Sequence, residues 1–311
     1  MAVLEVKHLT KDYGSKRGVF DISFEVNKGE VYGFLGPNGA GKSTTIRHLM
    51  GFSKPDKGEC RIFNRECFNH YYENLRSVGY IPGEIALPQG LNGYEFLEMM
   101  QKMEKKFNRN LLDKYISYFE LDEASLKMNT KHMSLGIKRK LAIITAFSSN
   151  PDVLILDEPT SGLDPLMQEK FIKLIKNEKA NGKTILLSSH IFSEVDATCD
   201  RIGIIKDGKI VSQFVADDLR HADNKNYRIH FASKNSYEKF KKDISDISFI
   251  TSTKFHDHTN VAFIACVDKN INDLVNLLSD YAIESFSTSH ETLQDYFMSF
   301  YKEDEDFKGA L

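Results

Sequence analysis

The chain has 311 residues, 41% of them hydrophobic and 27% charged, with a formal net charge of -3. That length suffices for one large domain plus a smaller one with a sizeable core. The near-neutral balance excludes a global field that would draw the chain onto nucleic acid or an anionic membrane, so no nucleic-acid partner is expected.

Three strands open the pattern, over 3–9, 19–26 and 31–35. The N-terminus alternates like a strand and lacks the basic and apolar regions of a secretion signal, so a cytoplasmic location is expected. A glycine-rich stretch follows and runs into a helix over 43–50, stopped by Gly51. Residues 78–81 read as a strand. From 94 to 121 the period is helical, with Phe96, Leu97, Met100 and Met103 on one expected core face. Strand 153–156, helix 165–180, strand 184–187, helix 191–199 and strand 202–205 come next. The dipeptide Asp207-Gly208 joins that last strand to 210–214 as a tight hairpin. The alternation predicts an α/β fold: a parallel-sheet core with crossover helices and an added antiparallel layer. The longest aliphatic runs fall far short of the roughly 20 residues of a membrane span.

Polarity rises over 217–226, which is expected to be a linker. Beyond it, 227–303 reads as a small α+β domain, with 304–311 as a tail. Its order of strands and helices is that of a split βαβ arrangement. Cys60, Cys67, Cys199 and Cys266 lack metal or disulfide spacing and read as free thiols. His256 and His258 fall at a hairpin tip and read as a solvated loop rather than a metal site.

Residues 36–44, GPNGAGKST, fit G-x-x-x-x-G-K-[ST] between a strand and a helix. Gly36, Asn38, Gly39, Gly41 and Thr44 belong to a loop whose backbone N–H groups can surround phosphate oxygens. Lys42 would reach the β- and γ-phosphates, and the Ser43 hydroxyl would hold Mg²⁺. Residues 153–158, VLILDE, are a buried strand that delivers two carboxylates at its C-terminal end. Asp157 is the expected metal-shell residue and Glu158 the expected general base.

Between these motifs lies MSLGIKRKL, residues 133–141, and here the chain resembles the ABC transporter ATPase family. In that family an LSGGQ segment opens a helix and meets the γ-phosphate held by the other subunit. Ser134 and Gly136 match its serine and second glycine, Leu135 replaces the first glycine, and Ile137 replaces the glutamine. Residues 161–164, SGLD, resemble the loop that crosses the dimer seam, with Asp164 at its end. His190 resembles the switch histidine, and Tyr13 the aromatic that stacks on adenine. One departure stands out. The family's glutamine after strand 78–81 is missing. Gly83 is in its place, with Glu84 and the more distant Gln89 as alternative sources of an oxygen ligand.

The resemblance covers 3–215 in motif order and implies an ABC ATPase cassette at 1–216, with a helical subdomain near 84–150. It implies ATP and Mg²⁺ as cofactors and a head-to-tail pair of ATPase copies, identical or not. It further implies a separate polytopic membrane permease and a peripheral position on the cytoplasmic membrane face. The C-terminal extension more weakly resembles that of exporter ATPases, with ETLQDYF as its main cue. A soluble ABC ATPase acting on ribosomes or DNA is the alternative. The single phosphate loop and the absence of sustained heptads count against it.

Overall fold

The computed structural model describes residues 1–103, 108–220, 224–244, 247–257, 259–289 and 293–300. The chain divides into two compact units, Met1–Val215 and Ala216–Leu311.

The first unit begins with strands β1 (Ala2–Asp12), β2 (Gly18–Asn27) and β3 (Val31–Leu35), then helix α1 (Lys42–Leu49). Strands β4 (Lys57–Ile62) and β5 (Arg65–Glu66), helix α2 (Tyr71–Leu75) and strand β6 (Val78–Ile81) follow. A helical stretch comprises α3 (Gly93–Met103), α4 (Arg109–Tyr118), α5 (Glu123–Lys127) and α6 (Leu135–Ser148). Strand β7 (Val153–Asp157), helix α7 (Pro165–Ala180), strand β8 (Thr184–Ser189), helix α8 (Phe192–Thr198) and the hairpin β9 (Arg201–Lys206) and β10 (Lys209–Val215) complete it.

These strands form two sheets. One is antiparallel, in the order β2-β1-β4-β5, and the other has the order β10-β9-β3-β8-β7-β6. In the second sheet β9, β3, β8, β7 and β6 pair in parallel, and only β10 runs antiparallel. Every residue of β3, β7 and β8 is buried. That is the pattern of a parallel sheet covered on both faces, and it is why these strands read as continuous apolar runs. Leu4, Leu9, Ile22 and Val26 of the antiparallel sheet share a core with Tyr32, Phe34, Ile155 and Leu186 of the parallel one and Ile46 of α1. Phe24 stacks on Tyr32 with ring centroids 5.0 Å apart. Each fully buried side chain of this size contributes roughly 1.5–3 kcal/mol.

Helix starts follow local chemistry. Gly41, at φ 111°, turns the chain into α1 where an L side chain would be strained. Ser134 caps α6 by accepting from the Ile137 N–H at 3.3 Å. Asp164 caps α7 by accepting from Met167 N–H at 3.0 Å, with Pro165 at the first helical position. Asp207 and Gly208 both take positive φ, 48° and 73°, as a two-residue hairpin turn requires.

One stretch carried no expectation, and one expectation needs correction. Residues 57–75 carry the strands β4 and β5 and the helix α2, none of which was expected. Met103 is 72% exposed at the end of α3, whereas Phe96 and Leu97 on that helix are buried.

The second unit holds α9 (Ala216–Arg220), β11 (Asn224–Phe231), α10 (Lys234–Asp243), β12 (Ile250–His256), β13 (Val261–Val267), α11 (Ile271–Leu278), β14 (Ile283–Ser289) and α12 (Leu293–Ser299). The stretch expected as a linker thus contains a helical turn and the first residues of β11. The sheet order is β12-β13-β11-β14, antiparallel throughout. With one helix between β11 and β12 and another between β13 and β14, this is the split βαβ arrangement. Tyr227, Ile229, Phe231, Tyr237, Phe240, Ile264 and Leu274 form a core of their own. His256 tilts against Phe263 at 5.3 Å; His258 and the tail lie outside the described residues.

Among the described residues no helix is long and apolar enough to cross a membrane, and all four cysteines are buried.

Candidate functional site

Parallel pairing puts the C-terminal ends of four strands on one edge. Leu35 of β3 lies beside Ser189 of β8, Asp157 of β7 beside Ser188, and Ile81 of β6 beside Leu156. The segments that leave these ends are 36–41, 82–84, 158–164 and 190–191. Open α/β sheets place ligands at this edge.

Lys42 is 5% exposed and bends back over its own loop. Its ammonium donates to the carbonyls of Gly36 at 2.5 Å and Pro37 at 3.1 Å. It also pairs with Glu158 Oε1 at 3.0 Å. That carboxylate oxygen is buried, and the Lys42 ammonium is its ion-pair partner. The other oxygen of Glu158 lies 2.7 Å from His190 Nδ1. Glu158 itself has φ 48°, an uncommon conformation for an L residue that marks stored strain. Its N–H is held by the carbonyl of Ser188 at 3.1 Å and the hydroxyl of Ser188 at 3.2 Å. The Ser188 hydroxyl also donates to Asp157 Oδ1 at 2.5 Å. Ser188 therefore holds the Asp157 carboxylate and the Glu158 backbone together. Sequence reading missed it because it is one of two serines in an apolar strand.

Glu194, on α8, is a second residue the sequence left unremarked. It is buried beside the His190 turn and accepts from the Ser189 hydroxyl at 2.5 Å. Ser189 in turn accepts from the Ile191 N–H at 3.0 Å, so the chain on both sides of His190 is pinned. Burial pushes the Glu194 carboxyl up to about 7, opposed by the hydroxyls of Ser189 and Thr160 and aided by the charge of Glu158.

The remaining predicted residues are distributed around this centre. Asn38 and Gly39 lie exposed on the loop. Tyr13 is 57% exposed in the turn between β1 and β2. Ser134 and Leu135 are exposed at the start of α6, and Asp164 at the start of α7. Among the described residues, Ser134 shares no hydrogen bond with Lys42, Glu158 or His190. The segment 134–136 packs on the 161–164 loop: a Cβ built on Gly162 would lie 2.7 Å from Leu135 Cγ, and one on Gly136 3.0 Å from the Gly162 carbonyl.

Glu84 is exposed. Gly83 is the residue of that loop that meets the carboxylates, since a Cβ there would lie 2.9 Å from Asp157 Oδ2. A methyl at 83 would crowd Asp157 unless that carboxylate shifted.

Asp157 and Ser43 offer hard oxygen donors of the kind Mg²⁺ takes. Among the described residues no three His, Cys, Asp or Glu side chains cluster as a metal cage.

Comparison with known proteins gives the same direction. The family model described as "ABC transporter" matches residues 19–161. The bacitracin transport ATP-binding protein BcrA of Bacillus licheniformis is 36% identical over 234 residues, covering 75% of this chain and 76% of that protein. The ABC transporter ATP-binding protein YcbN of Bacillus subtilis is 31% identical over 303 residues, covering 95% and 96%. Among solved structures, an ATP-binding subunit of an ABC transporter is similar with a TM-score of 0.63 and 32% identity. That match covers 71% of this chain and 92% of the other.

Proposed function

The chain belongs to the family of ABC transporter ATP-binding proteins, and from that premise we propose that it hydrolyses ATP to drive export through a separate membrane permease, with two copies closing on the nucleotide. The observation that carries the reading is the cluster of Lys42, Asp157, Glu158 and His190 at one sheet edge, beside the 36–41 loop. Export rather than import is favoured by likeness to a protein named for Nod factor export and to others named for bacitracin and lantibiotic transport.

The residues take the following roles. The loop 36–44 and the N-terminus of α1 hold the phosphates through backbone N–H groups. Lys42 moves its charge from Glu158 and the loop carbonyls to the phosphate oxygens. Glu158, released from the lysine, accepts the proton of the attacking water. His190 orients Glu158 and meets the γ-phosphate. Ser43 and Asp157 would hold Mg²⁺, which supplies charge neutralisation at the phosphates. Tyr13 offers its ring to adenine. Ser134, Leu135, Gly136 and Asp164 face the nucleotide of the second copy, so neither half-site is complete alone. ATP favours the closed pair, and loss of the γ-phosphate contacts releases it. The protein works at the cytoplasmic face of the membrane.

The test is Glu158→Gln. This variant is expected to bind ATP normally, to turn over at about 1% of wild type or less, and to accumulate as a nucleotide-bound dimer in size-exclusion chromatography. Wild-type turnover would sink the assignment. A tagged wild-type protein should also co-purify with a polytopic membrane protein.

A further inference from the structure

Arg139 is 1% exposed and heads the fully buried side chains ranked by volume. It sits on the second turn of α6, the helix that Ser134 caps. A buried guanidinium is normally paired with a carboxylate. This one spends its donors on three backbone carbonyls instead. Nε donates to Ser161 at 3.0 Å, Nη1 to Pro82 at 2.9 Å and Nη2 to Gly83 at 2.8 Å.

The acceptors belong to two different loops. Pro82 and Gly83 follow β6, and Gly83 is the residue pressed against Asp157. Ser161 follows β7, and its N–H donates to the carbonyl of Glu158 at 3.2 Å. One planar fork thus fixes the backbone beside both carboxylates, a task suited to Arg and poorly suited to Lys. Burial lowers the affinity of Arg139 for its proton, and the charges of Asp157 and Glu158 oppose that loss. The cation therefore stands behind the carboxylate pair without bonding to it.

We infer that Arg139 is a positioning residue of the hydrolytic site, which sets Asp157 and Glu158 by bonding the 82–83 and 161 backbones and ties both to the helix that faces the second copy. The inference rests on the hydrolytic roles given above to Asp157 and Glu158. It goes further by assigning the alignment to a residue that touches no nucleotide. Because the loops are set from behind, turnover suffers when Arg139 is lost, while the phosphate loop and its affinity are left intact. A misplacement of about 1 Å costs on the order of 100-fold in rate.

The experiment compares full-length wild type, Arg139→Met, Arg139→Lys, Gly83→Ala and the Arg139→Met/Gly83→Ala double variant. It reads steady-state ATP turnover, the Kd of a fluorescent ATP analogue, and the melting temperature. The expected result for Arg139→Met is a fall in kcat of about 10- to 100-fold with Kd within about threefold of wild type. Arg139→Lys, which keeps the charge and loses the fork, falls between. Gly83→Ala, which drives a methyl at Asp157, lowers kcat in the same way. The double variant loses less than the product of the two single losses, because both act on one alignment.

Wild-type kcat in Arg139→Met, a loss carried by Kd instead of kcat, or strictly multiplicative losses in the double variant would overturn the inference. If Arg139→Met does not fold, unimpaired kcat in both Arg139→Lys and Gly83→Ala overturns it equally. Failure of the underlying reading is seen separately, as wild-type turnover in Glu158→Gln whatever the Arg139 variants do.

Discussion

Glu194 carries its proton up to about pH 7 because its carboxyl is buried, and this has a consequence for stability. The carboxyl's ordinary value is 4.5. Between that value and 7 the folded chain holds a proton that the unfolded chain has released. Stability from this group is therefore present at low pH and lost as pH rises through that window, by on the order of 3 kcal/mol. Glu194→Gln cannot titrate, and its amide oxygen can still accept from Ser189. Denaturant midpoints at pH 5 and pH 8 should show wild type losing stability relative to Glu194→Gln across that interval. A constant difference between the two proteins would refute the proposed burial of a protonated acid beside His190.

At the scale of elements, α6 has two separable demands on its first residue. As an N-cap, Ser134 satisfies one helix N–H, and Ser134→Ala should cost about 1 kcal/mol of stability. As the proposed contact to the second copy's nucleotide, the same change should lower ATP turnover by about tenfold, which a cap alone does not explain. Chemical denaturation alongside an ATPase assay separates them: a stability loss with full activity would leave Ser134 a cap and nothing more.

What the sequence disclosed about these elements follows from how local their causes are. Strands β3, β7 and β8 are legible because burial on both faces demands unbroken apolar runs, and each ends directly in its functional residues. The segment Lys57–Glu66 was invisible because KGECRI alternates only through Cys60 and Ile62, and its pairing with β1 is a tertiary event. Arg139 stood among Lys138, Arg139 and Lys140, where only helical spacing could single it out. It lies three and seven residues before the buried Ala142 and Ala146, so it shares their inward stripe. Glu194 resembled an ordinary acid in the first turn of a helix. Its burial depends on β8 and the 158–161 loop, which are brought together only by folding.

At the scale of the whole molecule, the two units have separate cores with no residue in common. All of Lys42, Asp157, Glu158 and His190 fall in the first. A chain ending after Val215 is therefore expected to fold and bind ATP with an affinity within about threefold of the full chain, as read by circular dichroism and nucleotide titration. An aggregated or non-binding fragment would show that residues beyond 215 complete the ATPase unit. The likeness to another ATP-binding protein over 95% of this chain spans both units.

The burial of Cys60, Cys67, Cys199 and Cys266 also makes the native surface silent to thiol reagents. Burial raises the Cys60 thiol to about 12 and pushes Cys67 up as well, so neither offers a thiolate near neutral pH. A single cysteine introduced at an exposed position such as Leu166, which is 56% exposed, would be an addressable handle on the molecule. Spectroscopic labels could then report the approach of two copies without first stripping the native sulfur from the core.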